Sequence, residues 1–262
     1  MQVVLTQPKV RMLDGSDIGR IARTLQKRGF KGGQGDVILL PELVGEGYSP
    51  ADYHAAIADM ARTFGCHVIG GSQFDNLRDP PVNQGIVVDP AGAVIARYQK
   101  ANPYGREREV SQAGERAGAS FSIGAVACFV SVCADFWHAE TYRNLQVPPE
   151  VIFVPALSVS RKSTPDMARA RWRHAMMARA YEQAAFVAVS DWAYPVRSGG
   201  EHPSSGVAGL AHPDPQTPAD LLRSLGRSRV GIFEIDLEAS RLLRADQRSR
   251  GFEIGRVRQE QV

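Results

Sequence analysis

Apolar positions along this chain fall into short continuous runs separated by stretches of helical spacing. Residues 1–5 and 36–40 are apolar runs of strand type, the second closed by Pro41. Between them Ile18, Ile21, Ala22 and Leu25 recur at helical spacing over residues 17–28, and Gly29, Gly32 and Gly33 break the pattern. Ser49-Pro50-Ala51-Asp52 is a helix start, with a capping serine and proline at the first helical position, and Gly65 closes that helix after Phe64. A strand follows at 68–72. Residues 82–89 and 93–98 flank the turn signal Pro90-Ala91-Gly92, which predicts a β-hairpin with Lys100 just past its second strand. Apolar runs at 126–132, 151–154 and 186–190 read as further strands, with a long helix over about 165–183 before the last. Two late strands, at about 207–210 and 230–235, complete the expected elements. The Gly, Pro and Ser-rich stretch 194–205 reads as a surface loop, and the polar tail, about 249–262, as an extended arm.

Strands and helices interleave without a linker, repeat or low-complexity tract. That predicts one α/β domain over residues 1–262, with its core in about 1–240. The hairpin makes the sheet mixed rather than purely parallel.

Composition adds exclusions. The 262 residues are 44% hydrophobic and 23% charged, with a net charge of +3, as in a soluble globular protein. No apolar run reaches membrane-spanning length, and the N-terminus lacks the order of a signal peptide, so no membrane role is expected. The basic excess is spread out and has no aromatic-basic stripe, which argues against nucleic acid as a partner. The three cysteines, Cys66, Cys128 and Cys133, include no CxxC pair. They suit neither a disulfide scaffold nor a zinc site, and they fit a reducing cytoplasm.

Three polar residues share one position. Glu42 follows the run VILLP, Lys100 follows AVIARYQ, and Cys133 follows VACFVSV. Each stands just beyond the end of a predicted strand, the edge at which ligand crevices form in α/β sheets. Taken singly, such a thiol is more often packed and such a charge solvated. Together, a carboxylate, an ammonium and a thiol suggest base, electrostatic stabiliser and nucleophile. Cys66 and Cys128 lack any such setting and read as structural.

The motifs around these residues resemble the signatures of the nitrilase superfamily of carbon–nitrogen hydrolases. Leu40-Pro41-Glu42 followed by Gly47-Tyr48 is similar to the first, Tyr98-Gln99-Lys100-Ala101-Asn102-Pro103 to the lysine signature, and Val132-Cys133-Ala134-Asp135 with Glu140 beyond it to the nucleophile signature. Val154-Pro155-Ala156, Arg179-Ala180-Tyr181-Glu182 and the strand GIFEID at 231–236 follow in the family's order. The resemblance implies a four-layer α-β-β-α sandwich and hydrolysis of a nonpeptide carbon–nitrogen bond without metal or organic cofactor. It assigns the nucleophile to Cys133, the general base to Glu42 and the third triad position to Lys100. Lys100 and the Ala134 N–H would stabilise the oxyanion, and a second acidic residue would be Glu107 or Glu109, with Glu107 the better spaced. The expected substrate is a small amide. The alternatives are a small nitrile, or a non-catalytic amide-binding protein that kept the fold. Relatives imply a homodimer, with the polar tail reaching the partner and Arg179 and Glu182 at a subunit face.

The segment after Cys133 departs from the family pattern. Trp137 stands where an arginine is common, followed by His138 and Ala139. Phe136 and Trp137 suggest an apolar pocket, which would disfavour a small acidic substrate. His138 could donate to substrate, Trp192 and Tyr194 could line the entrance, and Asp135 is expected to orient the loops around the cysteine.

Overall fold

The computed structural model describes residues 1–143, 145–197 and 202–252. The first half runs β1 (Gln2–Thr6), α1 (Asp17–Lys27), β2 (Val37–Leu39), α2 (Pro50–Phe64), β3 (His67–Ile69), β4 (Gln73–Asp75), β5 (Val82–Val88), β6 (Val94–Gln99) and the single turn α3 (Glu107–Val110). The second half opens with β7 (Ala119–Ile123), β8 (Val126–Val130), a 3-10 turn (Cys133–Trp137) and α4 (Glu140–Arg143). It continues through β9 (Val151–Pro155), α5 (Asp166–Gln183), β10 (Phe186–Ser190), β11 (Gly209–Ala211), β12 (Leu222–Ser224), β13 (Val230–Glu234) and α6 (Leu237–Ser249).

Among the described residues these strands form two sheets, in the order β13-β1-β2-β3-β5-β4 with β6 beside β5, and β12-β11-β10-β9-β8-β7. Both are mixed: β1, β2 and β3 run parallel while β5 and β6 are antiparallel, and β8, β9 and β10 run parallel between antiparallel neighbours. The continuous apolar runs have a simple cause. Side chains alternate faces along a strand, and both faces of the central strands β1, β2 and β3 are buried. Val3, Leu5, Val37 and Leu39 pack toward the second sheet. Val4 and Ile38 pack with Ile18 and Ile21 of α1 and Ile57 of α2. α5 covers the outer face of the second sheet through Trp172, Met176 and Ala180. The result is the expected α-β-β-α sandwich.

Capping follows the local sequence. The Ser49 hydroxyl accepts from Asp52 N at 3.1 Å, and Gly65 ends α2 at φ +65°, in the left-handed region that glycine tolerates. Where the strands end, the sheets are stitched by polar groups. The Thr6 and Ser190 hydroxyls both donate to Leu39 O at 2.8 Å, and Thr6 N donates to Ser190 Oγ at 2.9 Å. This fixes the end of β2, and so the residues that follow it.

Several elements differ from the sequence expectation. β4, β7 and β12 are strands of three to five residues outside the predicted set. The run at 126–132 is strand only to Val130, because the chain turns to present Cys133. Nor do the late strands complete the chain: α6 follows, started by Asp236, whose side chain accepts from Glu238 N. Its buried face is Ser240, Leu243 and Gln247, too polar for an apolar stripe to show. Only part of the expected loop at 194–205 is described, since residues 198–201 lie outside the described set. Of the expected arm, Ser249 ends α6 and residues 253–262 lie outside the described residues. Among the described residues no helix is long and apolar enough to cross a membrane.

Candidate active site

Glu42, Lys100 and Cys133 come together at the strand-end edge, on the loops after β2, β6 and β8. Each is almost wholly buried, at 2%, 3% and 8% exposure. Lys100 Nζ donates to Glu42 Oε1 at 2.7 Å and on its other side to Glu107 Oε2. Of the two candidate second acids, Glu107 meets the lysine, while Glu109 is exposed on α3.

The Glu42 carboxylate is held by three donors and keeps acceptor capacity on Oε2. Oε1 also accepts from Asn83 Nδ2 at 2.9 Å, and Oε2 accepts from Leu157 N at 2.9 Å. The same Asn83 amide donates to Glu107 Oε1 at 2.8 Å, so one side chain ties both carboxylates. Beneath the site the Trp192 indole N–H donates to Glu42 O at 2.8 Å.

Cys133 opens the 3-10 turn at φ +43°, a left-handed conformation that is costly for a residue with a side chain. Its thiol donates to Leu157 O at 3.8 Å, so the Leu157 peptide contacts Glu42 with its N–H and Cys133 with its carbonyl. Asp135, in the same turn, accepts from Ala101 N at 3.0 Å and from Asn102 N at 2.8 Å. It therefore locks the turn that carries Cys133 to the loop that carries Lys100.

Electrostatics follow from burial. Desolvation pushes the Glu42 carboxyl above its usual range, with Lys100 opposing and Glu107 adding to the shift. Desolvation also raises the Cys133 thiol, reinforced by Glu42 and opposed by Lys100. Burial alone would lower the Lys100 ammonium, but Glu42, Cys133 and Glu107 together carry it upward. Lys100 is therefore a fixed cation between carboxylates, and Cys133 rests as a thiol beside a carboxylate able to take its proton. Burial pushes Cys66 up to about 12 and raises Cys128 as well, which disfavours the thiolate at both.

Two cavities meet at Cys133. One, of about 460 Å³, is lined by Glu42, Lys100 and Glu107, with Leu43, Phe74 and Val110 among its apolar walls. The other, of about 430 Å³, is lined by Ala134, Trp137 and Trp172 together with Arg161, Lys162 and Arg171. The expected apolar pocket is thus only partly present. Trp137 supplies a wall, but three cations from the β9–α5 loop and α5 share the cavity. Phe136 lines neither cavity: it is buried and stacked on Trp172, with ring centroids 5.6 Å apart. His138 opens onto a separate groove beside Gln84, Arg97 and Tyr98. Trp192 is fully buried under Glu42 rather than at an entrance, because its ring fills the space beneath the strand end. Arg179 pairs with Glu182 and lies over the Tyr142 ring at 4.7 Å. Among the described residues no group of three or more metal-binding side chains gathers.

Asn83 and the Leu157 peptide are the site groups that sequence reasoning missed. Asn83 left little signal, since it stands beside a second polar residue, Gln84, near the start of β5, and its burial at 1% exposure shows only in the fold. Leu157 acts through its backbone, which carries no sequence signal.

Known proteins agree with this fold. A curated protein of Pyrococcus abyssi named "Nitrilase" is 25% identical over 253 residues, covering 90% of each chain. An amidase from Nesterenkonia sp. superposes with a TM-score of 0.71 at 22% identity, covering 96% of both chains. A CN-hydrolase superfamily protein of Xanthomonas campestris, solved with an arsenic adduct in its active site, gives 0.74 at 20% identity, covering 95% of this chain and 94% of its own. The family model for carbon–nitrogen hydrolases matches residues 22–230, and this chain belongs to that family.

Proposed function

We propose that the protein hydrolyses a small amide through a thioester on Cys133, with Glu42 as base and Lys100 as the third member of the triad. The observation that carries this reading is the Lys100 ammonium held between Glu42 and Glu107 beside a buried thiol. Glu42 accepts the thiol proton as Cys133 sulfur attacks the carbonyl carbon. The negative oxygen of the tetrahedral adduct is stabilised by the Lys100 ammonium and the Ala134 N–H. Glu42 then passes its proton to the departing nitrogen, leaving a thioester. Water loses a proton to Glu42 and attacks the thioester, and the released thiol regains that proton. Glu107 touches Lys100 rather than the reacting atoms, and its part is to keep the ammonium charged and in place.

Burial of the site supports this order of events. A proton moves between Cys133 and Glu42 without bulk water, and the oxyanion donors act in a low dielectric. The same reading keeps the expected homodimer and a reducing cytoplasm, which leaves the nucleophile free.

The curated relative's name favours one second reading, a nitrile substrate. Ammonia release from a panel of amides and nitriles, run with wild type and Cys133→Ser, separates the two. Turnover of amides that vanishes in the variant is the expected result. Turnover of nitriles alone transfers the assignment to them. A flat panel with clean amide binding replaces catalysis by binding.

A further inference from the structure

The two cavities at Cys133 differ in charge. The first is mixed, with the carboxylates Glu42, Glu46 and Glu107 facing the cations Lys100, Arg106 and Arg161. The second is lined by Arg161, Lys162 and Arg171 and by no carboxylate at all. The nearest carboxylate on the same segment, Asp166, does not line the cavity and accepts from the hydroxyl of Thr164 in its wall at 2.9 Å. Among the described residues none of the three cations forms an ion pair. Arg161 lies over the Tyr104 ring at 5.1 Å, at the junction both cavities share. Three exposed cations without an ion-pair partner, set around one concavity, give it a positive potential that an anion relieves. The opposite wall is aromatic. Trp137 is 45% exposed and meets Trp172 edge to face, with centroids 5.2 Å apart, so a flat apolar surface is offered beside the charges.

The position of Glu42 sets which half of the substrate enters which cavity. Glu42 lines the first cavity and not the second. A group that protonates the leaving nitrogen must face it, so the nitrogen leaves on the first side and the acyl body extends into the second. Building on the Cys133 amidase reading, we propose that the acyl half of the substrate carries an anionic group on a flat apolar body. The body lies against Trp137 and Trp172, and the anion against Arg161, Lys162 and Arg171.

Matched amides test this. Phenylacetamide and its 4-carboxy derivative, with an aliphatic pair differing in the same way, are compared for kcat/KM and for the thioester mass on Cys133. The expected result is a preference for the carboxylate on the order of tenfold or more, carried by KM and shrinking as salt is added. In the double variant Arg161→Gln/Arg171→Gln the ratio falls toward one, with thermal unfolding reporting that the fold is kept. The salt dependence in wild type needs no variant and reads the same charge effect. Equal or better turnover of the neutral amides, or a carboxylate preference that survives the double substitution, overturns the inference and leaves the amidase reading standing. Absence of any thioester with every amide overturns both.

Discussion

The Asp135 carboxylate grips Asn102 twice, accepting its backbone N–H at 2.8 Å and its side-chain amide at 2.7 Å. Asp135 is fully buried, two residues past Cys133, and Asn102 is two residues past Lys100. The pair therefore sets the distance between thiol and ammonium. In Asp135→Ala the Ala101 and Asn102 donors lose their acceptor, at about 1–3 kcal/mol for each one left buried and unpaired. A lower urea midpoint and a fall in kcat larger than the change in KM are expected. An unchanged midpoint would show that the carboxylate does not hold the two loops.

The Asn83 amide donates to both Glu42 and Glu107. Asn83→Ala frees both carboxylates to shift toward Lys100, and kcat is expected to drop by about tenfold or more for a misplaced base. Asn83→Asp sets a third carboxylate against the other two and is expected to be worse than alanine. Steady-state kinetics on one amide, with both variants checked for folding, reads the order. Wild-type rates in Asn83→Ala would remove the positioning role.

The upward shift of Glu42 fixes the sign of the acid limb. The base works as a carboxylate, so activity is lost as pH falls through its folded-state pKa. Because burial raises that pKa, the limb of kcat/KM lies above the ordinary glutamate value of about 4.3. A pH profile on a neutral amide, which does not titrate itself, measures it. A limb at or below the ordinary value would contradict the buried base.

Asp191 gives a stability test that is independent of catalysis. Burial pushes its carboxyl up to about 6, although Ser158 and Val207 donate hydrogen bonds to it. The folded state then binds more protons than the unfolded state between the ordinary value of about 3.9 and about 6. Stability contributed by this group is therefore present at low pH, falls as pH rises through that window, and levels off above it. The fall amounts to about 3 kcal/mol. Urea unfolding at acidic and neutral pH should show it in wild type. Asp191→Asn should lack this component whatever its overall stability, and an identical pH dependence in the two proteins would refute it.

The strand ends were legible in the sequence because strands buried on both faces leave continuous apolar runs. VILLP and VACFVSV therefore announce the polar residue that comes next. Lys100 was legible through the hairpin turn at Pro90-Ala91-Gly92, which set the length of its second strand. The partners that complete the site were not. Asn83 reaches Glu42 only through the pairing of sheets and loops, and Leu157 contributes nothing but its peptide group. Trp137 suggested an apolar pocket, yet the pocket's charge comes from Arg161, Lys162 and Arg171, brought to it by the loop after β9 and by α5. α6 escaped notice because its inward face buries a serine and a glutamine as well as a leucine.

The central claim concerns one sulfur atom, and intact-protein mass spectrometry after an acid quench tests it most directly. With a hydrolysed amide, wild type should gain the mass of one acyl group, localised by peptide mapping to Cys133, and Cys133→Ala should gain none and release no ammonia. An acyl group on Cys66 or Cys128, or undiminished ammonia release by Cys133→Ala, would contradict it.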